Sequence, residues 1–237
     1  MGSKKKKKKS ETVGYFDASR RLAASYVFVA PLFAVYQVGL VLDEGVRNGT
    51  APILRELFHR FQHFGLLVVN LAMLGFLFLA IWRTRTKRRR VPGLYGFMLI
   101  EAVAWTGIMV GVATLVTPQL LSLSPLARQL FASAGAGIYE EVLFRFLLMG
   151  GLVLVFQRGL GGHPYWVVPL AIAASALLFS YAHHALGGQD FGWGVFWYRT
   201  IMGVILGAIF FFRGLGLVVY AHALYNVALV ILQHANG

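Results

Sequence analysis

The chain of 237 residues contains no cysteine, and only 13% of its residues are charged. Without cysteine there is no thiol nucleophile, no thiolate metal site and no disulfide framework. A soluble domain carries roughly 25% charged residues, so this chain has about half the charge a water-facing surface needs. Acidic residues are scarcest of all, nine against 22 lysines and arginines. Soluble, disordered and disulfide-rich secreted classes are excluded together. What is present instead is apolar sequence, 58% of the chain, in continuous runs of about twenty residues. That length suits a membrane-spanning helix, whereas an outer-membrane barrel shows short alternating segments.

The formal charge of +13 resembles a nucleic-acid signal until it is located. Residues 1–90 hold 17 basic against 5 acidic residues, a net of +12, while residues 91–237 hold 5 against 4, a net of +1. The excess sits in Lys4–Lys9 and in Arg83, Arg85, Lys87, Arg88, Arg89 and Arg90. In a membrane protein such clusters mark the cytoplasmic side, and a polybasic tail attracts anionic lipid. The expected partners are therefore a bilayer, with anionic lipid at the lysine tail, and no nucleic acid.

Seven spans are expected, near Leu22–Leu42, Phe64–Trp82, Gly96–Val116, Phe131–Phe156, Trp166–His184, Trp193–Phe212 and Leu215–Leu232. The count ranges from six to eight, because Ser133 to Gly137 is a candidate break in the fourth run. With the N-terminus inside, Arg20, Arg21, the Arg83–Arg90 cluster, Arg158 and Arg213 all fall on the cytoplasmic side. The expected fold is all-α: a basic tail at 1–21, accessory transmembrane helices at 22–128 and a functional core of four helices at 129–237. Gly203 and Gly207, in a GxxxG arrangement, allow close helix approach.

Ionisable groups inside apolar spans need a reason, since each costs about 2.5–3.5 kcal/mol near the bilayer centre. The fourth run holds three, Glu140, Glu141 and Arg145. At about 100° per residue, Glu141 and Arg145 share a face one turn apart and are placed to pair. Glu140 points about 100° away from Glu141 and is left over. Phe179 and His183 share a face in the fifth span, as do His222 and Asn226 in the seventh. A structural ion pair and hydrogen-bonding histidines explain these residues singly, but leave Glu140 without a role. His184 reads as structural, and Glu101, alone in the third span, as a polar packing contact.

Taken in order, Glu140-Glu141-Val-Leu-Phe-Arg145 (EExxxR), Phe179-Ser-Tyr-Ala-His183 (FxxxH) and His222-Ala-Leu-Tyr-Asn226 (HxxxN) resemble the CPBP intramembrane proteases. That family includes the type II CAAX prenyl endopeptidases and the bacterial abortive-infection and bacteriocin-processing relatives. The resemblance covers about residues 130–232. It implies a glutamate-dependent endopeptidase in a bacterial cytoplasmic membrane, acting on a membrane-anchored protein near its C-terminal or juxtamembrane segment. Under it Glu140 is the general base toward water, and His183 holds the same water. His222 and Asn226 stabilise the oxyanion, while Glu141, Arg145 and Phe179 support them. No cofactor is expected.

Three other readings stand beside it. One carboxylate and two histidines make a three-ligand zinc site, although no HExxH motif is present. A scaffold or immunity protein keeps the fold without turnover. A transporter also places Glu, Arg and His inside the membrane. On the substrate side, prenylated CAAX tails and C-terminal sorting signals of the myxosortase type are both expected candidates.

Overall fold

In the computed structural model the described residues are 14–42, 68, 70–75, 78, 79, 82, 91–116, 126–187 and 191–236. Among them every regular element is helical. A short helix α1 (Tyr15–Ser19) precedes α2 (Leu22–Leu42) and α3 (Leu94–Val116). Then come α4 (Leu126–Glu140), a π-helical segment π1 (Glu141–Met149), α5 (Gly150–Leu154) and a second, π2 (Val155–Gly159). The chain closes with α6 (Pro164–Gly187), α7 (Trp193–Arg213) and α8 (Leu215–Asn236).

Among the described residues five helices are long and apolar enough to cross a membrane: Leu22–Leu40, Leu94–Val112, Pro164–Ala185, Trp193–Arg213 and Leu215–Ala235. They coincide with five of the seven spans expected from hydropathy, and the chain is a multi-pass membrane protein. Most of the expected span at Phe64–Trp82 lies outside the described residues. The fourth span differs from expectation in a specific way. Ser133 to Gly137 does not break it, because the chain stays helical from Leu126 to Gly159. The irregularity falls at Glu141 instead, where the helix widens from α to π. Glycine costs a helix about 1 kcal/mol relative to alanine, and close packing offsets that here. A methyl group added at Gly137 would lie 2.8 Å from Ala223 Cβ, so α4 and α8 approach to backbone contact only because the side chain is absent.

Helix α8 is central, packed against α2, α3, α4 and α7. Its Leu217, Val218, Val219 and Ala221 are buried with Phe28 and Phe33 of α2, Met98 and Met109 of α3 and Leu206 of α7. Against α6, α7 lays its glycines. Cβ atoms at Gly203 and Gly207 would meet Ala176 at 3.0 Å and Ile172 at 3.1 Å. Hydroxyls bridge neighbouring helices, as Ser175 Oγ donates to Phe144 O at 2.9 Å and Ser180 Oγ to Phe196 O at 2.7 Å. Outward, large apolar side chains such as Phe97, Ile100, Leu115 and Phe212 are exposed, as a lipid-facing surface requires.

The two starts, of α2 and α3, meet the α7–α8 junction at one end of the bundle. Gly214, with φ of 85°, turns the chain between α7 and α8, and a Cβ there would fall 3.1 Å from Arg20 Cα. Arg20 Nη2 donates to Phe211 O at 3.2 Å. At this end Arg213 forms a two-pronged ion pair with Glu101. Tyr15 Oη donates to the same carboxylate at 2.7 Å. Arg20, Arg21 and Arg213, which the charge pattern assigns to one side, therefore do lie at one end.

Candidate active site

The site is built where π1 begins. Glu140 is the last residue of α4 and Glu141 the first of π1, so the doublet straddles the change in helical width. A π-turn is rare and concentrates at functional positions, because i→i+5 bonding widens the backbone at a cost that ordinary packing does not require. The widened segment is held by neighbours: Phe144 O accepts from Ser175 on α6, and Arg145 Nη2 reaches Gly203 O on α7 at 3.4 Å.

Glu141 and Arg145 are fully buried, and their side chains meet at 3.2 Å between Arg145 Nη1 and Glu141 Oε1. The i,i+4 pair expected from spacing is present. Arg145 also lies over the ring of Phe179, with its guanidinium carbon 4.4 Å from the centroid. A buried guanidinium needs such compensation, since unpaired burial of a charge costs several kcal/mol. Phe179 in turn packs edge-on to His183 at 4.6 Å and lies 6.2 Å from His222, centroid to centroid. One aromatic ring thus fixes the arginine and both histidines relative to each other.

Glu140 is buried and stands between the two histidines. His183 Nε2 is 3.5 Å from its Oε1, and His222 Nε2 is 3.8 Å from its Oε2. Both rings are oriented from behind. His183 Nδ1 lies 2.9 Å from Phe179 O. A carbonyl only accepts, so Nδ1 carries the proton and the neutral ring presents an unprotonated Nε2 to Glu140. His222 Nδ1 lies 2.7 Å from Glu141 Oε1, and the same logic leaves its Nε2 free of hydrogen while the ring is neutral. Thr106 of α3, whose hydroxyl donates to Ala221 O at 3.2 Å, steadies α8 beside His222. His183 retains 15% of its side-chain exposure against 5% for Glu140, so access to the carboxylate runs past that imidazole.

Six of the seven residues singled out from the sequence, Glu140, Glu141, Arg145, Phe179, His183 and His222, therefore form one contiguous cluster across α4, π1, α6 and α8. Asn226 lies one turn beyond His222 on α8 and is half-buried. Among the described residues the contacts that join the other six do not extend to it. His184 turns away into the rings of Phe191, at 5.0 Å, and Phe196, at 6.1 Å. Glu101 belongs to the distant ion pair with Arg213, a partner the span-by-span reading missed. Among the described residues no group of three or more His, Asp or Glu side chains is arranged to hold a metal ion.

Sequence reasoning also missed Arg199. It sits inside the apolar run of α7, half-buried, within electrostatic reach of Glu140. An arginine within a span is itself a functional signal, but Arg199 lies outside the three motifs.

Residues 122–228 match the model of one family, described as type II CAAX prenyl endopeptidase Rce1-like. This stretch holds all three motifs, so the match agrees with the resemblance to the CPBP-type membrane proteases read from them. No curated protein and no solved structure gives a significant match to the chain.

Proposed function

We propose that the chain is an intramembrane endopeptidase in which Glu140, assisted by His183 and His222, activates water against a peptide bond of a membrane-anchored protein. The observation that carries this reading is the meeting of three side chains that present only hydrogen-bond acceptors to one another. With both rings neutral, Glu140 Oε1 and Oε2 face His183 Nε2 and His222 Nε2 at 3.5 and 3.8 Å, and no one of these atoms supplies a hydrogen to another. Acceptors brought together in a buried place call for a donor, and a water gives one hydrogen to Glu140 and the other to a histidine.

In the reaction Glu140 takes one proton from that water while its oxygen bonds the carbonyl carbon, and the carbonyl electron pair moves to oxygen as an oxyanion. His183, locked by Phe179 O, accepts a hydrogen bond from the water's other O–H, which stays on that oxygen, and so aims its lone pair. His222 supplies a donor to the oxyanion once Nε2 has taken up a proton from bulk water, which it releases again when the intermediate collapses. Glu141, already on Nδ1, stabilises that imidazolium in the way a carboxylate behind a histidine does. Asn226 adds a neutral donor one turn further along α8. Collapse of the intermediate then breaks the C–N bond, and Glu140 returns its proton to the leaving nitrogen.

For the substrate, the family name supports a C-terminal segment of a lipid-anchored protein, and a C-terminal sorting signal is the second candidate. The test is a comparative membrane proteome of cells carrying the wild-type chain and Glu140→Ala at matched expression. C-terminal or juxtamembrane peptides that persist only in the variant identify the substrates and the cut. Identical proteomes with a folded variant would favour a non-catalytic scaffold.

A further inference from the structure

Helix α7 carries none of the three motifs, yet one of its residues faces the site from a direction the motifs leave open. Two hydrogen bonds fix the orientation of α7. Ser180 of α6 donates to Phe196 O, and Arg145 of π1 reaches Gly203 O, so the face holding residues 196 and 203 is turned toward α6 and π1. The hydroxyl of Tyr198 meets that of Tyr225, so the face of residue 198 is turned toward α8. At about 100° of rotation per residue, Arg199 projects between these two faces, roughly 60° from Phe196 and roughly 100° from Tyr198. That wedge between α6, π1 and α8 is where Glu140 lies with His183 and His222, and Arg199 interacts electrostatically with Glu140 across it.

Charge counting shows what such a residue does. The ionisable groups facing Glu140 are Glu141 and Arg145 from π1, His183 from α6, His222 from α8 and Arg199 from α7, with Tyr198 and Tyr225 beside them. Arg145 is committed to Glu141, to Gly203 O and to the Phe179 ring. With both histidines neutral, Glu140, Glu141 and Arg145 alone would leave a net negative charge buried in a membrane protein, which is costly. Adding Arg199 brings the cluster to neutrality.

We propose that Arg199 is the counter-cation that keeps Glu140 ionised in the resting site. It acts through Glu140 and is a positioning residue for charge. The inference rests on reading Glu140 as the base, since a base must be deprotonated before it can take a proton from water. When that proton arrives, the negative charge passes from the carboxylate to the oxyanion, and the cation in the wedge remains beside it.

The test uses the full chain in lipid nanodiscs at neutral pH, read by infrared spectroscopy and by cleavage of a quenched farnesylated CAAX peptide. R199Q is expected to gain a protonated-carboxyl band absent from the wild type. R199K lacks the band, and E140Q/R199Q loses it, which assigns it to Glu140. In cleavage, kcat of R199Q falls about 100-fold with KM little changed, and R199K recovers most of the loss. Should R199Q fail to fold, E140Q/R199Q is expected to fold, because both charges have gone. A folded R199Q without the band, or a double variant that fails to fold as R199Q does, overturns the proposal. A wild-type chain that cleaves nothing while R199Q shows the band would sink the proteolytic reading and leave the charge pairing intact.

Discussion

His222 Nδ1 lies 2.7 Å from Glu141 Oε1, and the same oxygen lies 3.2 Å from Arg145 Nη1. Glu141 is therefore more than the partner of an arginine. It links the ion pair of π1 to the imidazole of α8 and fixes which nitrogen of that imidazole faces Glu140. The two neighbouring glutamates consequently have different fates when altered, and that difference is the first expectation to measure.

Glu140→Gln keeps the shape and removes the base, so turnover should drop by about 10²–10⁴-fold or more with the fold intact. Glu141→Gln instead leaves Arg145 buried without its carboxylate, and removal of one partner of a buried pair costs about 3–5 kcal/mol. Thermal unfolding of both variants in nanodiscs distinguishes them. A Glu140→Gln variant that unfolds as early as Glu141→Gln would mean that both carboxylates are structural.

Phe179 is the second case. Its ring lies under Arg145 and against His183 and Phe144. Phe179→Ala opens a cavity and removes the cation–π contact, at a cost of about 3–5 kcal/mol. Phe179→Leu fills most of the volume without the π face. If stability returns in the leucine variant but activity does not, the ring orients the imidazole and the guanidinium. Equal recovery of both would make it a filler.

The residues themselves explain why much of this site was legible in sequence. Glu141 with Arg145, Phe179 with His183 and His222 with Asn226 are each four apart, and four residues return a helix to nearly the same face. Apolar spans make every ionisable residue conspicuous, which is why Glu140 stood out as unaccounted for. Local periodicity, however, says nothing about which helix lies opposite. The Glu101–Arg213 pair joins residues 112 apart, and His222 with Glu141 joins residues 81 apart. Arg199 was passed over for the same reason, since Val195 and Gly203, one turn away on either side, carry no charge to draw attention to it. The π1 segment also escaped, because 3.6-residue periodicity assumes the hydrogen-bond pattern that π1 abandons.

Tyr15 gives a test at alkaline pH outside the spans. Burial and then the Glu101 carboxylate push its hydroxyl up to about 12 from the ordinary 10.0. The folded form thus favours the protonated phenol. Its contribution to stability is complete below the ordinary value and is lost as pH rises toward the folded one, because the unfolded chain ionises first. Between these two values wild-type stability should fall with a component that Tyr15→Phe lacks. Ultraviolet titration, in which Tyr15 ionises late, and unfolding of the two proteins at matched pH measure it. Parallel curves would show that the hydroxyl bond to Glu101 is not made in the membrane.

Gly137 carries the most direct prediction about how the fold controls chemistry. It lies one turn before Glu140, and a Cβ there would stand 2.8 Å from Ala223 Cβ and 2.9 Å from Ala223 N, next to His222. Backbone cannot move aside as a flexible side chain can, so Gly137→Ala must push α4 away from α8. Overpacking of this kind costs about 1–3 kcal/mol, which a bundle with this much buried surface survives. The displacement bears directly on the 3.8 Å between Glu140 and His222 Nε2. It bears far less on the 3.2 Å between Glu141 and Arg145, which share one helix. Gly137→Ala should therefore fold, lose kcat by about 10–100-fold and leave KM largely unchanged, since a misplacement of about 1 Å at reacting groups costs about 10²-fold. Gly151→Ala, with no atom within 4 Å of the added methyl group, is the matched control and should behave as wild type. If both alanines leave kcat untouched, the contact of α4 with α8 does not set the spacing of Glu140 and His222, and the two-histidine arrangement about Glu140 loses its support.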